Sequence, residues 1–498
     1  MNLKTVQTPA LLLDLDKFTR NCNWMKEKAE RLHVALRPHL KTGKCIEFAR
    51  TQMTAPSGPA TVSTLLEAEY FFNLGVIDLI YAVGISPGKF ERAVNLREAG
   101  CDLKVILDNK ETAEQFSAYC EERKIPCPVL IEIDVDGHRS GVKPDSDDLI
   151  EIAKILQGKA YFAGVLTHAG DSYKCVGQAA CLKAQENERD SLVHCADRLR
   201  KAGFEPKIIS AGSTPTAVFA ESWEGVTEVR CGVYCLFDLV MAGLKVCTID
   251  QIALSLLVEV TGHQKEKGWV ITDGGWMALS RDRGTAAQAV DQGYGLVCDI
   301  DGNPIDDLIV ASANQEHGIL THRDGRLVDP KDFPIGTRLR ILPNHACAMA
   351  AQHPQYFVVR KGKIVDIWNR LAAERSFIMR EVILSSLPPP NGHYSHAVIF
   401  NGAAYVSGVL PMRVKPGASV KEQFDAVFDI IEAILKECES SLDKVVNCRI
   451  YIADLNDWPE INRLYSERFK SARPARVVVP VKELHFGYRL EVELMAAV

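Results

Sequence analysis

The 498-residue sequence predicts a (β/α)8 barrel of the TIM type, then an antiparallel β-domain, then a small α+β unit. Three observations carry this. Eight short apolar runs alternate with helical patterns through the first half. After about residue 250, strands follow one another with no long helix between them. A proline cluster then precedes a β-β-α-β-α-β pattern.

The eight runs are 34–39 (VALRPH), 60–63, 78–83, 103–107, 129–135, 161–167, 207–211 and 227–230. Strands separated by single helices pair in parallel through right-handed crossovers, and eight of them over roughly 200–250 residues match a closed barrel. An open doubly wound sheet would use the same alternation, but no G-x-G-x-x-G follows the first run. Polar residues also collect where the runs end. Lys41 follows the first, Ser63-Thr64 the second, Arg139 the fifth, and His168 and Tyr173 the sixth. Gly212-Ser213-Thr214 follows the seventh, and Gly232 and Tyr234 the eighth. A barrel gathers such positions on one rim.

IALSLLVEV, GWVITDGG, TRLRILPN and YFVVRKGKIV read as antiparallel strands joined by polar turns, and ALLLDLD at 10–16 is expected to pair with them. Three prolines and a glycine in Leu387-Pro388-Pro389-Pro390-Asn391-Gly392 remove strand donors, which sets a boundary there. The expected domains are 1–250, 251–380 and 388–498.

Hydrophobic residues make up 47% and charged residues 24%, the balance of a globular chain, and a net charge of −6 gives no footprint for nucleic acid. A small-molecule partner fits better. The start has neither a signal-peptide pattern nor an apolar stretch of membrane-spanning length, so a cytoplasmic protein without a membrane partner is expected. Fifteen cysteines without a C-x-x-C pair read as small buried hydrophobes.

Two motifs stand apart. Arg37-Pro38-His39-Leu40-Lys41-Thr42 puts a lysine at the end of a buried strand, where a charged amine needs a reason such as Schiff-base formation with a carbonyl cofactor. Asn344-His345-Ala346-Cys347 puts two metal-binding side chains on one face of an extended segment. Taken alone, Lys41 also reads as an exposed strand-end lysine. The His-x-Cys pair alone is two ligands short of a structural zinc site.

RPHLKTGK, with TVSTLLEAEYFF, IEIDVDGHRSGV, GVLTHAGDSY, SAGSTPTA, EVRCGVY, DGGWMALSRD, NQEHG and LPNHAC in order, resembles the fold-type III (alanine-racemase-like) pyridoxal-phosphate enzymes, specifically the D-threonine aldolase and D-serine dehydratase group. The resemblance covers residues 8 to about 375. It implies that Lys41 carries pyridoxal 5'-phosphate and that Gly212, Ser213, Thr214, Gly232 and Tyr234 hold the phosphate. Arg139, His168 and Tyr173 would surround the pyridine ring. It also implies a divalent metal on His345 and Cys347, zinc by ligand softness with manganese as the alternative. His-x-Cys is similar to the dehydratases of the group, whereas the aldolases look like His-x-Asp.

The last unit resembles the reactive intermediate deaminase (Rid/YjgF) family, with its chorismate-mutase-like fold, through NGHY at 391–394, Ser407-Gly408, YIADLNDWPEIN, PAR and LEVELMA. This implies that Arg476 grips a substrate carboxylate and that Glu491 and Tyr394 position water, with Asn462 in the same site. The family's Pro before the Tyr is His393 here, and its Gln after Ser-Gly is Val409. A unit that mainly oligomerises the chain is the other reading.

The expected function is a dehydratase (ammonia-lyase) of a D-3-hydroxy amino acid, D-threo-3-hydroxyaspartate first and D-serine second, fused to an imine deaminase. An aldolase and a non-catalytic cofactor-binding protein are the alternatives. A β-carboxylate needs its own cation, for which Arg281 or Arg283 is the candidate. Two-fold dimers in the first family and trimers in the second imply a homo-oligomer, dimer or hexamer.

Overall fold

After an initial strand, β1 (Ala10–Asp14), the chain lays down eight parallel strands: β2 (Ala35–Leu36), β3 (Ala60–Val62), β4 (Asp78–Gly84), β5 (Asp102–Leu107), β6 (Cys127–Ile133), β7 (Ala160–Thr167), β8 (Ile208–Ala211) and β9 (Glu228–Val229). Neighbours pair in sequence order, and β9 pairs with β2. The ring closes just beyond β2, where the Leu40 amide donates to Thr61 O at 2.8 Å and the Thr61 amide to Pro38 O at 2.9 Å. This computed structural model describes residues 2–371, 380–400 and 402–498.

Three of the helices begin at a side-chain acceptor that the sequence supplies. Asp14 receives the Lys17 amide at 3.0 Å, Thr64 the Glu67 amide at 3.0 Å and Asn109 the Thr112 amide at 2.9 Å. Each satisfies an amide that the first helical turn leaves unpaired. The helices after β3, β4 and β5 then turn buried residues such as Phe71, Phe90 and Phe116 toward the sheet.

The barrel interior is charged at one end. Arg37, just after β2, is 4% exposed and bonds Asp78 at 2.7 Å and Glu228 at 2.8 Å. Lys104 reaches the same Asp78 at 2.6 Å. Ser210 extends the row from Glu228 to Arg230, whose Nη1 donates to Ser210 Oγ at 2.7 Å. The network therefore links β4 and β5 to β8 and β9 across the core.

β10 (Leu254–Gln264), β11 (Trp269–Thr272), β12 (Leu296–Cys298), β13 (Pro304–Ala313), β14 (Gly318–His322), β15 (Arg338–Leu342), β16 (Gln355–Arg360) and β17 (Lys363–Asn369) form the β-domain. The sheet runs β11-β14-β13-β12-β15-β10-β1-β16-β17, and β11 also pairs with β10, so its first six strands close a second ring. β1 belongs to this sheet: Ala10 faces Leu257 in an antiparallel pair and Leu12 faces Phe357 in a parallel one. Barrel and β-domain make up one compact unit, Met1–Ala372.

The second unit, Ala373–Val498, contains β18 (Arg380–Val382), β19 (Ala397–Phe400), β20 (Ala403–Val409), β21 (Val445–Ile452), β22 (Ala475–Pro480) and β23 (Leu490–Ala497). The strand order is β18-β19-β20-β23-β21-β22. Helices Val420–Glu437 and Trp458–Phe469 bury Phe424, Phe428, Ile431, Ile461 and Phe469 in a core shared with Ile450 and Val492. β18 pairs with β19 across the Pro388–Pro390 run, so the prolines lie in a connection inside this unit rather than at its start. Prolines interrupt a ladder equally well in a loop and in a linker. Among the described residues no helix is long and apolar enough to cross a membrane.

Breaking a buried ion pair from one side leaves an uncompensated charge, so Arg37→Met is expected to cost about 3–5 kcal/mol in urea unfolding. Burial raises the Asp78 carboxyl, but Arg37 and Lys104 outweigh it and hold it below its ordinary value. A carboxyl depressed in the folded state stabilises above its unfolded pKa of about 4, and that stabilisation is lost as pH falls through the folded value. The gap between parent and variant should therefore narrow below about pH 4, read from unfolding curves at several pH values.

Candidate active site

A cavity of about 400 Å³ opens at the C-terminal ends of the barrel strands, with the β-domain supplying one wall. Lys41 lines it. The loop that carries Lys41 is pinned from behind: Tyr356 Oη and Arg370 Nε both donate to Gly43 O, at 3.0 and 3.2 Å. Lys41 Nζ makes no hydrogen bond or ion pair among the described residues. An unpaired amine in a cavity is free to react.

Opposite it, the turn after β8 forms a polar floor. Gly212 sits at φ +117, and a Cβ there would lie 2.8 Å from the Arg230 amide, so only glycine fits. Its amide donates to buried Glu188 at 2.9 Å. Ser213 caps the helix Thr214–Phe219. Thr214 Oγ1 is buried without a partner, and the Thr214 amide reaches the Tyr173 phenol. A buried orphan hydroxyl is costly, and here it marks room for a hydrogen-bonding ligand. Gly232 completes the floor against His39.

The flanks carry charge. Arg139 is half-exposed, 3.8 Å from Glu132. His168 lies 3.5 Å from Gly212 O, with its ring 6.0 Å from that of Tyr173. Burial first, and then the charges of Arg139, Lys41 and Arg230, push His168 down to about 3. Burial and much the same cations hold His39 well below its usual value. These rings stay neutral at physiological pH, so the cavity's charge comes from Lys41, Arg139 and Arg230 beside Glu132, Asp238 and Asp282.

His345 and Cys347 form the remaining wall. The segment is not extended throughout: His345 is extended, while Cys347 lies in the first turn of the helix Ala346–Ala350. The bend at His345 still leaves the two side chains near enough to shift one another's titration. Thr42 Oγ1 lies 3.1 Å from Cys347 Sγ and Asp282 Oδ2 2.9 Å from His345 Nδ1. Burial opposes the charged imidazole, but Asp282 and Cys347 outweigh it and push His345 up to about 11. Burial also raises Cys347, and His345, Thr42 and Lys41 more than reverse it. Both shifts lean toward the charged forms, an imidazolium beside a thiolate, and a divalent cation can take over such a pair by displacing one proton. Among the described residues no three His, Cys, Asp or Glu side chains are grouped to hold a metal.

Lys41, Arg139, His168, Tyr173, Gly212, Ser213, Thr214, Gly232, His345 and Cys347 therefore share one cavity. Tyr234 does not line it; its ring is fully buried near Cys22, Cys231 and Cys235. Arg281 and Arg283 are also outside: Arg281 stacks on Trp276 at 4.0 Å, and Arg283 pairs with Asp291 at 2.7 Å. The residue between them, Asp282, faces the cavity instead. Sequence reasoning missed Asp282, Asp238, Glu132 and Arg230, all of which line it. Arg230 and Asp282 do lie in EVRCGVY and DGGWMALSRD, but no spacing rule singles them out.

In the second unit Arg476 donates to Asn462 at 2.8 Å and stacks on Tyr465 at 4.6 Å. Arg476 pairs with Cys448 in the sheet, and Cys448 with Leu494, which places it on the helix-covered face. Glu491 alternates with buried Leu490 and Val492, so it lies on the opposite face, beside Gly408. Burial raises its carboxyl. Tyr394 is exposed. Within one chain Arg476 and Asn462 come together, and Glu491 does not join them.

Residues 13–239 match the alanine racemase N-terminal domain family, 253–359 the putative serine dehydratase domain and 385–498 endoribonuclease L-PSP. The chain is 48% identical over 373 residues to D-threo-3-hydroxyaspartate dehydratase of Delftia sp. strain HT23, covering 74% of this chain and 98% of that protein. The solved structure of that Delftia enzyme superposes with a TM-score of 0.72 over 74% of this chain and 99% of that one, at 47% identity. A RutC family protein of Aquifex aeolicus is 38% identical over 123 residues, covering 24% of this chain and 98% of that protein.

Proposed function

The chain belongs to the fold-type III pyridoxal-phosphate enzymes related to D-threo-3-hydroxyaspartate dehydratase, and we propose that it dehydrates D-3-hydroxy amino acids with the help of a divalent metal. One observation carries the reading: the unpaired amine of Lys41 and the His345–Cys347 pair face the same cavity from segments three hundred residues apart. D-threo-3-hydroxyaspartate, giving oxaloacetate and ammonia, is the first substrate of this reading, and D-serine, giving pyruvate and ammonia, the second. The relative's activity and the His-x-Cys motif support elimination over aldol cleavage.

The residues fit a pyridoxal phosphate. Lys41 would carry it, the orphan hydroxyl of Thr214 with the Gly212–Ser213 turn and Gly232 would hold its phosphate, and Arg139, His168 and Tyr173 would flank its ring. Bound there, the cofactor supplies an electron sink for the bond broken at the substrate's α-carbon. His345 and Cys347 would hold the metal, zinc by softness with manganese as the alternative, and leave coordination positions open. Bound there, the metal supplies a Lewis acid for the β-hydroxyl, a poor leaving group near neutral pH. Lys41 Nζ, released when the substrate's amine takes its place, would be the base that removes the α-proton from one side only, so a single enantiomer is used, the D-form by the relatives' substrates. His39 and His168, held neutral, shape the pocket without competing for that proton.

Elimination of water yields an enamine that tautomerises to an imine, and water then converts the imine to a keto acid and ammonia. A fused RutC-family unit is chemically sensible beside that product. We place Arg476 on the imine's carboxylate, Asn462 holding the guanidinium, and Glu491 and Tyr394 on the attacking water. Because Arg476 and Glu491 occupy opposite sheet faces, a second copy of the chain would complete this site, which fits a homo-oligomer.

A panel of D- and L-3-hydroxy amino acids, assayed for keto acids and aldehydes together, tests the main reading. D-threo-3-hydroxyaspartate should give oxaloacetate, and chelation should stop it while the cofactor's absorbance stays; glycine with an aldehyde, or chelator-resistant turnover, would contradict the reading. Arg476→Ala should leave substrate consumption nearly unchanged yet slow ammonia release. Ammonia kinetics equal to the parent's would leave the second unit as an oligomerisation element.

A further inference from the structure

His345 and Cys347 are aimed by a loop distant in sequence. Asp282 lies 63 residues upstream of His345, with Oδ2 2.9 Å from Nδ1 of its ring. The other carboxylate oxygen accepts the Gly284 amide at 2.8 Å, so the group is fixed at both ends. Its backbone is fixed too. Asn344, adjacent to His345, donates to Asp282 O at 3.1 Å and to Gly293 O at 2.7 Å, and accepts from Thr285 Oγ1 at 3.1 Å. Asn344 and Thr285 are buried, so this cross-link is sheltered from water. These buried bonds fix the backbone at Asp282, and turning the carboxylate away would unpair both the His345 ring and the Gly284 amide.

An imidazole whose Nδ1–H is given to a carboxylate presents Nε2 as its free lone pair, in one ring orientation and with raised basicity. We infer that Asp282 is the positioning residue of the metal centre: it sets the tautomer and direction of His345, while Thr42 steadies Cys347 from the other side. The inference rests on the reading of His345 and Cys347 as metal ligands. Nothing in it requires Asp282 to touch the ion or the substrate. It also explains why an acidic residue stands between Arg281 and Arg283, whose guanidiniums are engaged elsewhere.

The test is Zn2+ affinity of the cofactor-loaded protein, stripped with a chelator and titrated against a chromophoric competitor. Parent, His345→Ala, Asp282→Asn and Asp282→Glu are compared. Asp282→Asn keeps the shape but not the charge, and should bind one ion per chain about 10–100-fold more weakly. Asp282→Glu should recover part of that loss. Unfolding midpoints of the metal-free proteins and the cofactor's absorbance report whether the fold survives. If folded Asp282→Asn binds within about threefold of the parent, the positioning role is wrong while the ligand reading stands. If the parent holds no ion that His345→Ala removes, the ligand reading fails and takes the inference with it.

Discussion

Two backbone hydrogen bonds and one buried carboxylate hold residues 343–347 against the barrel rim, and the candidate site exists because of them. The amides of Leu239 and Val240 donate to Pro343 O and Asn344 O at 3.0 and 3.1 Å. Asp238, 1% exposed, receives the Met241 and Ala346 amides at 3.0 Å each. Its carboxyl is raised by burial, which His345 and those amides only partly offset. Losing this carboxylate would strand two buried amides, each costing about 1–3 kcal/mol. A second seam joins Tyr356 and Arg370 to the Lys41 loop, so the β-domain grips the barrel on both sides of the cavity. Reactive groups on separate domains keep a fixed distance only when their seams are rigid.

The barrel was legible because its signal is repetitive: eight short apolar runs, nearly continuously buried as in β5 and β6, alternate with helical patterns. The rim residues were legible for the same reason, since a parallel barrel sends every strand's C-terminal end to one side. Arg37, prominent in the opening motif, turns out to be structural. It points into the barrel toward Asp78 and Glu228, while Lys41, four residues on, faces the cavity. Asp282, Asp238 and Glu132 were not legible, because a carboxylate's role depends on what packs against it, and those partners lie far away in sequence. Arg281 and Arg283 drew attention by charge alone, and local partners had already claimed them. Tyr234 shares a motif with Gly232, yet its ring turns into the core behind the floor.

The second unit shows how far strand patterning reaches. From β19 onward its strand and helix order follows from alternation, while β18 lies before the expected start of the unit, and the faces on which Arg476 and Glu491 fall depend on register. In this sheet a one-residue change in register moves a side chain to the other face. The proline run illustrates the converse limit. It identifies an irregular segment, and only the pairing of β18 with β19 tells that this segment is internal.

Lys41 and the His345–Cys347 pair, three hundred residues apart, make one site. An anomalous-difference map of crystals of the cofactor-loaded protein, recorded at the zinc edge, tests it directly. One peak is expected between His345 and Cys347, with the cofactor bonded to Lys41 in the same cavity. A metal peak elsewhere, or a cofactor bonded to another lysine, would contradict it.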